Sequence, residues 1–90
     1  MKRIELDGGQ MRTREEAHAY MARELGFADY YGGNLDALWD ELSTISEPCL
    51  ITIRHADSVR EQLGAYGDRL LDTFVEAAED NEHCKVELIE

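Results

Sequence analysis

The chain has 90 residues, 43% of them hydrophobic, and sets 20 Asp and Glu against 9 Lys and Arg for a formal charge of −11 at pH 7. A chain this short holds one domain, residues 1–90, and folding removes only about three-fifths to two-thirds of its unfolded surface from water, so a large internal cavity is excluded and no cofactor is expected. The negative excess opposes nucleic acid and anionic membranes and favours a basic partner, and no apolar run approaches the roughly twenty residues of a membrane span.

Lys2 to Leu6 alternates as a short strand, and Asp7-Gly8-Gly9 supplies a turn. Glu5 and Asp7 fall where the apolar run of a signal peptide would begin, so the expected location is the cytoplasm. Thr13 with Glu16 is a capping-box pattern that opens a helix running to Leu25. Ala17, Met21 and Leu25 recur every four residues along its apolar side, and Gly26 suits the left-handed position that ends it. Asn34 caps a second helix through about Leu42, buried by Leu35, Leu38 and Leu42.

Pro48 cannot continue that helix, and Leu50-Ile51-Thr52-Ile53 follows as a buried strand. The pattern predicts a short third helix from about Asp57 and a longer fourth from about Asp68, separated by Gly64 and Gly67, with Leu70, Leu71, Phe74, Val75 and Ala78 on one side of the fourth. Lys85 to Ile89 is a last strand. Cys49 and Cys84 lack metal-type spacing, sit at the edges of apolar runs, and read as reduced core thiols. Strands separated by helices require crossovers, hence an α/β fold with a small parallel sheet packed with about four helices.

Charge is distributed unevenly. Residues 1–23 sum to +1 and residues 54–69 to zero, whereas 24–53 and 70–90 carry −6 each. The carboxylates of those two blocks have few cations nearby in sequence, which fits either two solvated helix faces or a single acidic surface built from both. On the second helix, a step of about 100° per residue places Asp36 and Asp40 together on a flank beside the leucine face, with Trp39 between the two groups. Their mutual repulsion costs a few tenths of a kcal/mol, which a positively charged partner would offset. On the fourth helix Arg69, Thr73, Glu76 and Asp80 form a polar stripe opposite Leu71, Val75 and Ala78. Tyr30 and Tyr31, beside Gly32 and Gly33, match the composition of interface anchors.

Other chemistries fit less well. Gly32-Gly33 lacks the Lys-Ser/Thr ending of a phosphate-binding loop, and Asp36 in the first turn repels phosphate. His18, His55 and His83 show no ligand spacing, so no metal site is expected. Cys84 beside His83, or Cys49 with His55, would be a thiolate pair, but neighbours on a strand point to opposite faces, which counts against the first. An exposed helix flank gives Asp36 and Asp40 neither the desolvation nor the dry pocket that acid/base or magnesium chemistry needs. The chain reads as a binding protein and not an enzyme.

The run Tyr30-Tyr31-Gly32-Gly33-Asn34-Leu35-Asp36-Ala37-Leu38-Trp39-Asp40-Glu41-Leu42 closely resembles the signature segment of the barstar family, small intracellular inhibitors of secreted ribonucleases. Supporting likeness runs over nearly the whole chain, through His18, Leu25, Pro48, Phe74, Glu76, Ala77 and Cys84. The resemblance implies a three-stranded parallel sheet packed with helices. It also implies that the second helix and the loop before it enter a nuclease active site lined with Lys, Arg and His. Asp40 would be the central anchor in a phosphate position and Asp36 would pair with further cations. Tyr30 would pack over the catalytic region, with Asn34, Leu35 and Trp39 completing the contact. Tyr31, Gly32 and Thr44 border these residues, Glu76 would add a charged contact, and Asp80 or Glu82 the outermost one. Gly33 replaces an acidic residue of the family pattern, and the loop Ser43-Thr44-Ile45-Ser46 is one residue shorter than in the best-known member.

The function so implied is cytoplasmic, non-enzymatic inhibition of a barnase-like or other basic ribonuclease, secreted or toxin-like, in a 1:1 complex, with a monomer when free. Two other readings use the same residues: an immunity or adaptor module for a different basic protein, and a small magnesium-dependent hydrolase built on Asp36, Asp40 and Glu76.

Overall fold

A computed structural model describes residues 1–90. Its strands are β1 (Lys2–Asp7), β2 (Cys49–Arg54) and β3 (Cys84–Ile89), and its α-helices are α1 (Arg14–Leu25), α2 (Leu35–Ser43), α3 (Ala56–Leu63) and α4 (Ala65–Asp80). The three strands form one sheet in the order β1-β2-β3, parallel throughout, with α1 and α2 in the first crossover and α3 and α4 in the second. The α/β architecture expected from the alternation of strands and helices is the one observed.

Register decides which face of the sheet is buried. Ile4, Ile51 and Val86 lie side by side, as do Leu6, Ile53 and Leu88, and Cys49 is paired with Cys84. Side chains in register in a parallel sheet share a face. This face meets the helices, where Leu6, Ile51 and Ile53 join Met21 of α1, Leu38 and Leu42 of α2, Val59 of α3 and Phe74 of α4 in a single core. The rows Arg3-Leu50-Lys85 and Glu5-Thr52-Glu87 form the other face, which is charged and largely solvated. Both cysteines are buried free thiols, as expected.

The predicted signals for α1 and α2 act as read, with one exception. Thr13 accepts the Glu16 N–H at 3.1 Å, Gly26 ends α1 at φ 72°, and Asn34 accepts the Ala37 N–H at 2.8 Å. The reciprocal half of the capping box is not made, because the Glu16 carboxylate turns to Arg12, 3.5 Å away.

Two connections, one in each crossover, differ from expectation. Gly8–Gln10 forms a turn of 3-10 helix rather than a plain turn, and α4 begins at Ala65, so Gly64 alone separates it from α3. Gly67 lies inside α4 at its closest approach to α3, where an added Cβ would stand 2.4 Å from the Val59 carbonyl oxygen. What reads locally as a break is the point of contact between two helices. The buried stripe of α4 runs through Gly67, Leu70, Leu71, Phe74 and Ala77, leaving Val75 exposed and Ala78 half-buried.

Candidate partner-binding surface

The acidic helix is held by its other side. Leu38 and Leu42 have no solvent exposure, and Leu35 and Trp39 are half-buried against the core. With those positions fixed, the helical period turns Asp36 and Asp40 to solvent. Both are exposed, and neither makes a side-chain hydrogen bond or an ion pair within the molecule. The arginine ion pairs are Arg12–Glu16, Arg23–Glu24, Arg60–Asp68 and Arg60–Glu90, none of which reaches a carboxylate of α2. Asp36 gains from the helix dipole in the first turn, while Asp40, a turn later, is left with almost no local compensation. At the far end the Thr44 hydroxyl donates to the Glu41 carbonyl and the Ser43 hydroxyl to the Trp39 carbonyl, both at 2.8 Å.

The loop before α2 carries two adjacent tyrosines with opposite roles. Tyr30 is 86% exposed. Tyr31 turns inward, its ring centroid 4.8 Å from that of Phe27 and its hydroxyl 2.7 Å from His18 Nδ1. The other ring nitrogen of His18, Nε2, lies 2.6 Å from the Tyr66 hydroxyl on α4. Burial pushes the Tyr31 hydroxyl far above the ordinary tyrosine range, so it remains a protonated hydrogen-bonding group. Burial also lowers the affinity of His18 for a proton, partly opposed by Glu15. Gly32 is exposed, and Gly33 takes a left-handed φ of 66° as the chain turns into the Asn34 cap.

The second acidic block adjoins the first. Helices α2 and α4 pack together, and the Asn81 amide at the end of α4 donates to the Leu42 and Ile45 carbonyls, each at 3.0 Å. Glu76 and Asp80 are exposed and without an ion-pair partner, Asp80 one residue before this junction. Glu82 is also exposed, 3.7 Å from His83.

Asp36, Asp40 and Glu76 do not converge as the hydrolase reading requires, since no three His, Cys, Asp or Glu side chains gather where they could hold a metal ion. Burial raises the proton affinity of both cysteine thiols, the reverse of what a thiolate nucleophile needs. No helix is long and apolar enough to cross a membrane. Residue-by-residue reading missed His18, Tyr66 and Asn81 as organisers of this surface. The only local trace was for His18, which sits next to Ala17 on the buried side of α1.

Over residues 1–89 the sequence matches the Barstar family, described as Barstar (barnase inhibitor). It is also 36% identical over 81 residues, 89% of each chain, to the Bacillus subtilis (strain 168) protein named "Putative ribonuclease inhibitor YrdF". The chain belongs to the barstar family.

Proposed function

We propose that the protein is an inhibitor of a basic ribonuclease, without catalysis of its own, that blocks the enzyme's active site with α2 and the loop before it. The observation that carries this reading is the pairing of solvent-facing, unpartnered Asp36 and Asp40 on a rigidly seated helix with the exposed ring of Tyr30 beside it. Family membership and the name of the B. subtilis relative support the same role.

A cleft that holds RNA must be cationic, and an acidic surface is attracted to it over the screening length of the solution and arrives oriented. On this reading Asp40 takes the place of a phosphate, Asp36 meets further Lys or Arg groups, and Glu76 and Asp80 extend the negative field. Tyr30 contributes a large apolar ring of the kind that dominates interface energetics. The cations of the cleft lose water on contact and are compensated by carboxylates that are themselves unbound in the free inhibitor. In the complex the protein forms a 1:1 unit, and the compartment in which it protects RNA is the cytoplasm.

The test is ribonuclease inhibition. Increasing protein should abolish cleavage of a fluorogenic RNA by barnase with an equivalence point at one inhibitor per enzyme, and Asp40→Ala should shift the titration most among single variants. Capture of basic proteins with no effect on cleavage would instead support the adaptor reading.

A further inference from the structure

The loop between α1 and α2 has few fixings of its own. Between residues 27 and 33 the backbone contributes the Phe27 N–H to the Ala22 carbonyl at 2.9 Å and the Tyr31 N–H to the Ala28 carbonyl at 3.0 Å. The remaining ties are made by side chains: the Phe27–Tyr31 ring contact, and the chain from Tyr31 through His18 to Tyr66. His18 is 3% exposed, and Gly33 passes against it, an added Cβ there lying 3.9 Å from the His18 Cβ. One imidazole thus joins α1, the recognition loop and α4.

The two hydrogen bonds constrain the ring's protons. A neutral imidazole has one donor nitrogen and one acceptor nitrogen. One tyrosine hydroxyl therefore donates to His18 while the other accepts from it, and either tautomer satisfies all three groups. An imidazolium has two donors and no acceptor. The hydroxyl that had been donating must rotate its proton away, and neither Tyr31 nor Tyr66 has a second side-chain or backbone acceptor within the protein. The charged groups around the ring divide. Glu15 on α1 favours the cation, and Asp29 lines the same groove. Arg23 lies along that groove as well, and Arg14 and Arg69 stack over Tyr66 at 4.2 and 5.8 Å. Glu41 of α2 faces Tyr31.

We propose that His18 is a positioning residue of the partner surface: by bridging Tyr31 to Tyr66 it ties the recognition loop to α4, and a proton added to its 3% exposed ring, which makes a buried cation and leaves one hydroxyl proton without an acceptor in the protein, favours opening of the loop that covers it and so loosens the placement of Tyr30. This rests on the inhibitor reading for its consequence in binding, but the tie itself belongs to the free protein. Acidification then loosens the loop before it loosens the core, and an inhibitor bound through Tyr30 lets go more readily in acid. A glutamine amide also has one donor and one acceptor end with which to bridge the two hydroxyls, and it cannot take up a proton.

The experiment is amide hydrogen exchange at Tyr30, Tyr31, Gly32 and Gly33, referred at each pH to unstructured-peptide rates, in wild type, His18→Gln and Tyr66→Phe. Loop protection in the wild type should fall about two- to tenfold, a change on the scale of one hydrogen bond, as pH drops below about 6.5, while amides of β2 stay protected. His18→Gln should remove the pH response. Tyr66→Phe should lower loop protection at neutral pH although it alters a different element. The wild-type inhibition constant against barnase should weaken on acidification relative to His18→Gln, a comparison in which the enzyme's own pH dependence cancels. A glutamine variant whose loop follows the wild-type pH course, or a phenylalanine variant whose loop is unchanged, overturns the proposal. If barnase is not inhibited at any pH, the functional reading fails and the exchange measurements still decide the tie. If His18→Gln does not fold, the wild-type pH course and Tyr66→Phe decide it.

Discussion

Asn81 closes the end of α2 from the opposite end of the second crossover: its amide nitrogen lies 3.0 Å from the Leu42 carbonyl oxygen and 3.0 Å from that of Ile45, while its own side-chain oxygen accepts the His83 N–H at 3.0 Å. The last carbonyls of a helix have no partner within it, and here a single side chain serves one of them together with the loop that follows. Asn81→Ala strands these groups in a part-buried site, and the expected loss is about 1–3 kcal/mol. Asn81→Asp should do worse, because it turns a carboxylate oxygen toward two carbonyls. Urea unfolding followed at Trp39 measures both. Equal stability of the alanine variant and wild type would show that water replaces the amide without cost.

Gly67→Ala tests packing against propensity. In a helix interior alanine is preferred to glycine by about 1 kcal/mol. At this position, however, the added methyl carbon meets the Val59 carbonyl oxygen at 2.4 Å and the Arg60 Cα at 3.2 Å, so α3 and α4 must separate to admit it. The collision outweighs the propensity, and the variant should be destabilised by about 1–3 kcal/mol, the range for forced overpacking. A thermal midpoint at or above that of wild type would contradict the close crossing of the two helices.

The contrast between these two sites shows what a sequence exposes. Asn34, Thr13 and Gly26 act within a few residues of themselves, so their roles follow from local spacing. The same holds for Asp36 and Asp40, whose outward direction is fixed once Leu38 and Leu42 are taken as buried. His18 works through partners 13 and 48 residues away, and Asn81 through a carbonyl 39 residues back. Nothing in the neighbourhood of either residue encodes those distances. Gly67 is intermediate: its small size is visible, but whether it breaks a helix or lets another helix approach depends on Val59. Val75 shows the limit of hydrophobicity alone. It is as apolar as its neighbours, yet the stripe through Leu70, Leu71, Phe74 and Ala77 passes it by. The outward direction of Asp36 and Asp40 was thus legible, whereas the long-range contacts made by His18 and Asn81 were not.

For the acidic surface the expected hierarchy follows from what each carboxylate does in the free protein. Asp40 supports nothing internally, so Asp40→Ala should leave stability within about 0.5 kcal/mol of wild type. Binding to a basic ribonuclease should weaken by at least about 2 kcal/mol, roughly thirtyfold, because a desolvated cation of the cleft is left unpaired. Glu76→Ala, if its contact is peripheral and solvated, should cost less than about 1 kcal/mol. Association rates should fall as salt is raised, and dissociation rates much less. Stopped-flow association with barnase at two ionic strengths separates the two effects. An association rate indifferent to salt would remove the field of α2 and α4 from the mechanism.

The pH dependence of stability has a definite sign at each end. His18 holds a proton less tightly in the fold than in the unfolded chain, whose histidines titrate near pH 6.5. The unfolded state therefore binds more protons once pH drops below that value, and stability falls with it. This contribution is fully present above about pH 6.5 and is lost progressively until pH reaches the lower value that applies in the folded state, beyond which no further loss arises from this residue. On the alkaline side Tyr31, Tyr66, Cys49 and Cys84 hold their protons more tightly in the fold, mainly because burial disfavours their anions. Above about pH 9 the unfolded chain releases protons that the folded protein keeps, and stability falls again. Unfolding free energy measured in urea across this range should thus form a plateau between two declining limbs. His18→Gln should flatten the acid limb and leave the alkaline limb in place, whereas Tyr31→Phe should reduce the alkaline limb. An acid limb unchanged by the glutamine substitution would mean that other groups, not the buried imidazole, set the acid sensitivity of the fold.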